Sequence, residues 1–459
     1  MNSISKTEPS PQWSSRFGFL LATIGFSVGL GNIWRFPYLA GENGGGAFVL
    51  IYIVCVFAIG IPIVMAEMVI GKRGGSTPAR SFKTIAMKDG LNSQWSLVGH
   101  LAVITGFLII AAYCVVGGWT LHYIYLSVSG ELADIENTAS ATIFQQLLAK
   151  PSLLIFWNTV FILLNAGVVI RGVNSGIEKA AKILMPALFI LLVGLAGYGL
   201  VVGDMEQSLA FLFKPDFSKV TGFTVINAVG QAFFSVGVGM AALLTYSAYL
   251  PKGINIAKSA TIICISDTIV ALLAGLAIFP FVFLFDFSPS EGPGLVFITM
   301  PTVLGGFGGG LLTLAFFTLL AVAALTSSIG GFEVFVAIGR NQGISRPKSI
   351  GISAALCWVL GLTTIISFNV AADFYPLAFI PGFETATFFD AFNIIASTIG
   401  LPIGAALMAI FVGWFMSRQA SAKILGFTTE HRVFRVWRFL AKWLLPFAIL
   451  AILATGLRS

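Results

Sequence analysis

The stretch Gly25-Phe26-Ser27-Val28-Gly29-Leu30-Gly31-Asn32-Ile33-Trp34-Arg35-Phe36-Pro37 interrupts the first long apolar segment of the chain. Its clustered glycines, followed by Asn, Arg and Pro, make a poor continuous helix, because each glycine costs a helix interior about 1 kcal/mol relative to alanine. In hydrocarbon, every backbone group that such a break frees needs another partner. The stretch therefore predicts an interrupted membrane helix that lines a site.

The interruption occurs twice in the chain. Phe26-Ser27-Val28-Gly29-Leu30-Gly31 returns as Phe234-Ser235-Val236-Gly237-Val238-Gly239, again in the middle of an apolar segment. Two interrupted helices at corresponding positions of two halves indicate the binding site of a transporter. The alternative is that the glycines only let neighbouring helices pack closely. We favour the first interpretation because the match extends over the whole motif.

Composition places the chain in the membrane. Of its 459 residues, 57% are hydrophobic and only 10% are charged, which excludes a soluble domain and indicates a polytopic membrane protein in a lipid bilayer. A nucleic-acid partner is not expected, because the net charge of +7 is placed in loops. Eleven apolar segments are long enough to span: 16–41, 46–71, 96–127, 151–170, 177–203, 222–250, 257–285, 305–339, 350–371, 386–416 and 437–457.

The distribution of Lys and Arg predicts the topology. A cytoplasmic N-terminus puts most of the 26 basic residues into inner loops, as the positive-inside rule requires, and an odd number of spans puts the C-terminus outside. Because five spans reverse the direction of entry, segments one to five and six to ten form two halves of opposite orientation. The predicted divisions are a cytoplasmic tail (1–15), a first repeat (16–203), a second repeat (204–416), and a cytoplasmic loop with an eleventh helix (417–459).

Carboxylates inside the spans indicate function, since a charge in hydrocarbon is costly. They are Glu67, Asp267, Glu333 and Asp390. No HExxH, GxSxG or Cys/His cluster accompanies them, which argues against an intramembrane enzyme. An ion-coupled carrier needs only carboxylate, amide, hydroxyl and carbonyl oxygens, the ligands that hard cations prefer. A channel remains an alternative. Three hydroxyls at 326–328 either bind sodium or merely bond back to the preceding helical turn.

At this point the motifs resemble one family. The resemblance to the neurotransmitter:sodium symporter signature, in its prokaryotic amino-acid transporter branch, covers essentially the whole chain. It is carried by Arg16-Phe17-Gly18-Phe19-Leu20, residues 29–37, Glu42-Asn43-Gly44-Gly45-Gly46-Ala47-Phe48, Gly60-Ile61-Pro62, Glu67, Gly230-Gln231-Ala232-Phe233-Phe234-Ser235, Thr245-Tyr246 and Leu325-Thr326-Ser327-Ser328. It implies an all-α polytopic membrane protein with a 5+5 inverted repeat of ten helices, helices 1 and 6 unwound, and an eleventh helix.

The resemblance also implies two sodium sites. The first uses the Ser27 carbonyl, Asn32, Ser235 and Asp267, completed by the carboxylate of the substrate. The second uses the carbonyls of Gly25, Val28 and Ala323 with the hydroxyls of Thr326 and Ser327. Relatives commonly place Asn where this chain has Asp267, and chloride-dependent members have Ser where it has Ala271. We therefore expect Asp267 to supply the fixed negative charge, so that no chloride is needed.

The substrate site follows from Gly29, where amine-transporting relatives carry Asp. Glycine leaves room for a substrate with its own carboxylate, which the amides of Leu30 and Gly31 and the Tyr113 hydroxyl would receive. Carbonyls near Ser27, Phe234 and Ser235 would take the ammonium group. The side-chain pocket is predicted to be roomy enough for tryptophan as well as leucine, and is lined by Ile109, Tyr113, Phe234, Gly237, Met240, Ser328 and Gly331.

Gates and supporting residues complete the prediction. Arg35 and Asp390 match an outer ion pair, with Phe234 and Tyr113 as the lid, although Asp390 also suits a helix start. Trp13 and Tyr246 are the expected gate residues on the inner side. The Arg–Asp ion pair that usually closes this side in the family has no counterpart in this chain. Glu67 is expected to accept hydrogen bonds from the unwound backbone. Gly176 and Pro186 either let the inner end of the fifth helix unwind or mark an ordinary kink.

Together these inferences predict a sodium-coupled symporter of the prokaryotic plasma membrane. It would import hydrophobic L-amino acids by alternating access, with two sodium ions and without chloride. A non-transporting amino-acid sensor of the same fold is the alternative, and neither reading is an enzyme. The sequence carries no indication of oligomeric state.

Overall fold

All secondary structure in the part of the chain that the structure describes is helical. The structure is a computed structural model that describes residues 11–251, 253–289, 294–307 and 310–456. The helices of the first half are α1 (Arg16–Ser27), α2 (Gly31–Glu42), α3 (Gly46–Gly74), α4 (Pro78–Lys88), α5 (Ser93–Ser129), α6 (Asn137–Ala149), α7 (Pro151–Val169), α8 (Val173–Val202) and α9 (Met205–Phe213).

The second half continues in the same manner. Its helices are α10 (Gly222–Ser235), α11 (Ala242–Ala248), α12 (Ile256–Leu284), α13 (Leu295–Gly305), α14 (Leu311–Asn341), α15 (Arg346–Ile366), α16 (Phe388–Phe415), α17 (Arg418–Leu425) and α18 (Arg432–Gly456). Within the described ranges, nine helices are long and apolar enough to cross a membrane, and the bent pair α1–α2 makes a tenth. The remaining predicted span, 222–250, is the broken pair α10–α11.

Three connections predicted as loops contain helices. These are α6 in 128–150, α9 in 204–221 and α13 in 286–304. The eighth span also begins at Leu311 and not at residue 305, because the apolar residues before it belong to α13. At 13, 9 and 11 residues, these helices are shorter than the roughly 20 residues that a span requires. A search for apolar runs of spanning length therefore passes over them.

Both predicted interruptions are present. α1 and α2 meet at a bend of 52°, and residues 236–241 between α10 and α11 are not helical. In the second break Gly237 has φ +66°, Gly239 +90° and Ala241 +65°. Glycine adopts a positive φ at little cost, which explains Gly237 and Gly239 but not Ala241.

The bundle places both breaks at its centre. α1 packs against α14, α12 and α8, and α14 also packs closely against α5. Small residues set the helix spacing, since a Cβ on Gly118 of α5 would lie 2.8 Å from the Asn158 nitrogen of α7. The broken backbone is therefore enclosed by long helices and removed from lipid.

Asp89, which follows α4, links the end of α3 to the loop after α16. Asp89 forms an ion pair with Arg73 and accepts a hydrogen bond from the Ser417 amide at 2.8 Å. Burial alone would raise the pKa of the Asp89 carboxyl, but Arg73 and the Ser417 amide hold it below its ordinary value. The carboxylate is therefore charged at neutral pH and holds the two segments together.

Candidate functional site

One local side chain and one from α5 accept hydrogen bonds from the backbone freed by the first break. The Gly29 amide donates to Asn32 Oδ1 at 3.0 Å, and the Leu30 amide donates to the Tyr113 hydroxyl at 3.0 Å. The break is thus held open by two specific hydrogen bonds, as a non-helical segment at membrane depth requires.

Glu67 of α3 supports the second break. Its Oε2 accepts from the Gly239 amide at 3.1 Å and its Oε1 from the Leu244 amide at 3.2 Å, and the side chain is fully buried. Glu67 is predicted to accept hydrogen bonds from the unwound backbone, and it does so at the break between α10 and α11. Among the described residues Glu67 has no hydrogen bond to the first break, so the structure shows this support for the second break alone.

The side chains predicted for the first sodium site form one buried cluster. Asn32 Nδ2 donates to Asp267 Oδ1 at 2.8 Å and to Ser235 Oγ at 2.9 Å, and Ser235 Oγ donates to Asp267 Oδ2 at 2.5 Å. Ser27, at the end of α1, is also buried. Asp267 has no cationic partner among the described residues. A buried carboxylate with only neutral donors is well suited to receive a cation.

The residues predicted for the second sodium site also meet. Ser327 Oγ lies 3.3 Å from the Gly25 carbonyl and 3.2 Å from the Val28 carbonyl. Thr326 Oγ1 lies 3.1 Å from the Ala323 carbonyl, and a Cβ on Gly25 would come 3.2 Å from the Thr326 Cβ. Hydroxyl and carbonyl oxygens of α14 thus face the carbonyl oxygens of the first break. Such an all-oxygen set fits a hard monovalent cation.

No richer metal centre is present in the described ranges, where no group of three or more His, Cys, Asp and Glu is placed to hold a metal ion. The four cysteines are all buried and free. The sodium assignment therefore depends on the two oxygen clusters.

A cavity of about 60 Å³ lies between the two breaks. Its lining includes nine predicted substrate residues, which are Ser27, Gly29, Gly31, Ile109, Tyr113, Phe234, Ser235, Gly237 and Met240. Sequence reasoning missed Phe26 and Ile110, and it placed Ser327 only at sodium. Phe26 lies within the quoted motif, where its ring packs over Gly237 and Gly330.

Three predicted substrate residues are not part of that lining. Leu30 lines a larger outer cavity of about 340 Å³. Ser328 donates to Asn165 Oδ1 at 2.6 Å, and a Cβ on Gly331 would meet Ile110 at 2.4 Å. Helix rotation explains Ser328, because the residue after Ser327 points to another face of α14. Gly331 lies one turn further on the face of Ser327, and Ile110, which itself lines the cavity, packs against it.

The predicted outer ion pair is not formed. Arg35 donates to Gln231 Oε1 at 2.7 Å and lies 4.6 Å from the centre of the Phe234 ring. Asp390 accepts from the Thr387 amide at 3.0 Å as part of a helix-capping box at the start of α16. The helix-start interpretation of Asp390 therefore describes this conformation, in which Arg35 lines the outer cavity and Asp390 does not.

The side predicted to be cytoplasmic is tightly packed. Trp13 Nε1 donates to the Tyr246 carbonyl at 2.8 Å, and the two rings meet edge to face at 5.0 Å. Gly176 lies in a π-helical turn at the start of α8, and Pro186 lies inside the same continuous helix. The end of α8 at Gly176 is therefore helical, and not unwound, in this conformation.

Two inner polar clusters were missed by sequence reasoning. Glu178 accepts from Ser14 and Ser15 and pairs with Lys182 at 2.7 Å, which joins the segment before α1 to α8. The second cluster is built around Glu333, which is fully buried. Arg346 pairs with it at 2.5 Å and the Tyr249 hydroxyl donates to it at 3.2 Å. The sequence signal was the presence of Glu333 in a span, which requires a partner.

Comparisons with known proteins agree with this architecture. The model of the Sodium:neurotransmitter symporter family matches residues 10–145 and 143–459. An uncharacterized sodium-dependent transporter of Bacillus subtilis, YhdH, is 35% identical over 445 residues, which cover 96% of each chain. One of Haemophilus influenzae is 34% identical over 455 residues, covering 97% of this chain and 98% of that protein.

A solved structure has the same fold. The crystal structure of MhsT in complex with L-phenylalanine superposes with a TM-score of 0.87 at 37% sequence identity, covering 97% of this chain and 99% of that chain. The resemblance read from the motifs and the all-α membrane fold are both confirmed. On this evidence the chain belongs to the sodium:neurotransmitter symporter family.

Proposed function

We propose that this protein is a sodium-coupled symporter that imports hydrophobic L-amino acids by alternating access and needs no chloride. The observation that carries the proposal is the Asp267–Asn32–Ser235 cluster, a buried carboxylate without a cationic partner among the described residues, placed between the two breaks. Its charge attracts sodium, and the carboxylate of a bound amino acid completes the ligand set. Substrate and ion then stabilise each other's binding, which couples their transport.

The polarity of the cavity supports an amino acid as the substrate. Gly29 and Gly31 line it, Tyr113 supplies a hydroxyl, and the remaining walls include Ile109, Phe234 and Met240. The charged end of an amino acid would lie at the break and its apolar side chain against these walls. The structural relative MhsT holds L-phenylalanine, which supports a hydrophobic side chain in this chain as well.

The volume of the cavity limits which substrates fit without rearrangement. The cavity of about 60 Å³ is smaller than the roughly 150 Å³ that accommodates benzene in an engineered protein cavity. An aromatic substrate therefore requires movement of the surrounding side chains. Phe234 borders both the inner and the outer cavity, and an unbranched thioether such as Met240 repacks readily. We expect these two side chains to move when tryptophan binds.

Binding of labelled leucine to the purified protein, in sodium and in potassium, tests the coupled site. We expect binding only in sodium, with competition by tryptophan and phenylalanine but not by glutamate. Equal binding in both cations would contradict sodium coupling. Failure of tryptophan to compete would leave coupling intact and refute the adaptable pocket. Sodium-driven uptake into proteoliposomes then separates a symporter from a sensor, which would bind without accumulating substrate.

Replacing chloride by gluconate on both sides of the proteoliposome is expected to leave the rate of uptake unchanged. The reason is that Asp267 already provides a negative charge beside the ion cluster, and Ala271, one turn along α12, is buried and has no hydroxyl for an anion. A chloride-dependent family member is measured in parallel, and its loss of uptake in gluconate shows that gluconate does not replace chloride in the assay. A rate that rises with chloride concentration would refute the assigned role of Asp267.

The Gly29→Ala variant is expected to weaken sodium-dependent binding about 10-fold or more. A Cβ at this position would lie 2.7 Å from both the Ser327 hydroxyl and the Tyr113 hydroxyl. Overpacking of this kind costs about 1–3 kcal/mol, and here it displaces groups from both the ion and substrate sites. Gly167→Ala is the matched control, because its Cβ would meet nothing within 4 Å. Wild-type affinity in Gly29→Ala would show that the break tolerates a side chain.

A further inference from the structure

A groove rich in positive charge lies at the far end of the bundle from the outer cavity, outside the transport site. It has a volume of about 410 Å³ and is formed where α16 and α18 diverge. The helices touch at Gly413, where a Cβ would lie 2.7 Å from the Lys442 Cα. Arg418, Arg435, Arg438 and Lys442 line the groove together with Trp414 and Trp443.

None of these four cations forms an ion pair with a described residue. Arg418 donates to the Thr429 carbonyl at 3.0 Å and Arg438 to the Met416 carbonyl at 2.9 Å, contacts that leave their charges uncompensated. The Arg438 Nη1 atom is buried and has no hydrogen-bond partner. The buried, unused donor of Arg438, among four cations that form no ion pair with a described residue, is well suited to an anion.

The surroundings of the groove match the edge of a membrane. Trp414 and Trp443 are about half exposed and meet edge to face at 4.6 Å. Lys442 Nζ lies 3.9 Å from the centre of the Trp414 ring. Indole rings and basic side chains of this kind collect at the level of lipid headgroups. The next turns of α18 expose Phe439 and Phe447, which suits the acyl chains of a lipid.

We propose that this groove binds the phosphate headgroup of an anionic phospholipid. The planar guanidinium of each arginine presents paired donors that match the oxygens of a phosphate, and Arg438 is already held in place by Met416. Basic pockets between transmembrane helices on the cytoplasmic side are suited to acidic headgroups. The predicted topology puts this end of α18 on that side. The proposal does not depend on which substrate the transporter carries.

Lipid binding to the delipidated protein in neutral detergent is the test, with bound lipids counted by native mass spectrometry. The probes are phosphatidylglycerol, phosphatidylcholine and inorganic phosphate. The variant is Arg435→Gln with Lys442→Gln. The matched control is Arg432→Gln with Lys423→Gln, which removes the same charge from exposed positions nearby that do not line the groove. Since each basic residue near a membrane contributes about a five-fold gain in affinity for acidic lipid, we expect at least a 10-fold weaker affinity in the groove variant.

Retention of phosphatidylglycerol by the wild type and the control, with loss in the groove variant, supports the proposal. Equal retention by all three proteins overturns it, as does equal binding of phosphatidylcholine and phosphatidylglycerol. Inorganic phosphate that displaces phosphatidylglycerol at similar concentration overturns the lipid as occupant in favour of a free anion. If the double variant fails to fold, the single Arg435→Gln variant carries the same comparison, since Arg435 is exposed and its side chain has no hydrogen bond among the described residues.

Discussion

The Asp267→Asn variant is expected to lose sodium-dependent amino-acid binding at all practical sodium concentrations. Asp267 carries the negative charge in the cluster with Asn32 and Ser235. Two unit charges about 4 Å apart interact by about 4 kcal/mol at an effective dielectric constant of about 20. Removing one of them corresponds to a loss of roughly two to three orders of magnitude in sodium affinity. The measurement is leucine binding titrated with sodium chloride and with sodium gluconate.

The matched control for Asp267→Asn is Asp204→Asn. Asp204 caps α9 by accepting from the Gln207 amide at 2.9 Å, far from the breaks, and asparagine caps a helix equally well. A wild-type sodium titration in Asp267→Asn would contradict the proposed first sodium site.

A double variant tests whether sodium binding depends on the negative charge of Asp267 or on its hydrogen-bond geometry. Asp267→Asn combined with Ala271→Ser creates the Asn and Ser arrangement that chloride-dependent relatives carry on the same face of α12. We expect it to regain part of the sodium-dependent binding in chloride but not in gluconate, because chloride would then supply the missing charge. Equal recovery in both anions would mean that hydrogen-bond geometry, and not charge, explains the loss in the single variant.

The second large effect is expected at Arg346, on stability. Arg346 donates to Glu333 at 2.5 and 3.3 Å and to the Val169 carbonyl at 2.8 Å. Arg346→Gln removes the ion-pair partner of the buried Glu333 carboxylate and leaves it only the Tyr249 hydroxyl and the Coulombic attraction of Arg340. Breaking a buried pair in this way costs about 3–5 kcal/mol of unfolding free energy. The measurement is denaturant unfolding of the purified protein in mixed micelles.

Two comparisons make the Arg346 prediction specific. Lys348→Gln removes the same charge from an exposed position two residues away and should change stability little. Glu333→Gln combined with Arg346→Gln should recover much of the loss, because it removes the stranded charge as well. A single Arg346→Gln variant as stable as Lys348→Gln would show that Glu333 is neutral or hydrated in this protein.

Much of the fold could be read from the chain because its causes are local. Apolar runs of spanning length predicted the long helices, and clustered glycines predicted both breaks. The glycines at 237 and 239 have the positive φ angles that only glycine adopts readily. Short helices such as α13 were missed, since eleven apolar residues fit a loop as well as a helix when length is the only criterion.

The contacts of the candidate site could also be predicted only in part. Ser327 lies beside the carbonyls of Gly25 and Val28, the residues with which the resemblance groups it, because the first break packs against its face of α14. Ser328 follows Ser327 directly, yet the rotation of α14 turns its hydroxyl to Asn165. Arg35 and Asp390 were matched as a pair, but in this conformation each has a nearer partner.

The sequence by itself determined the membrane environment, the helix breaks and the family, because hydrophobic length and glycine placement act over a few neighbouring residues. Only the tertiary structure decided which distant polar groups meet. Glu178 contacts Ser14 across 164 residues, and Arg438 faces a groove whose opposite wall includes Trp414. The physical reason is that the low dielectric of the bundle makes a buried polar or charged group without partners costly, whereas the direction and rotation of packed helices decide which partners are within reach.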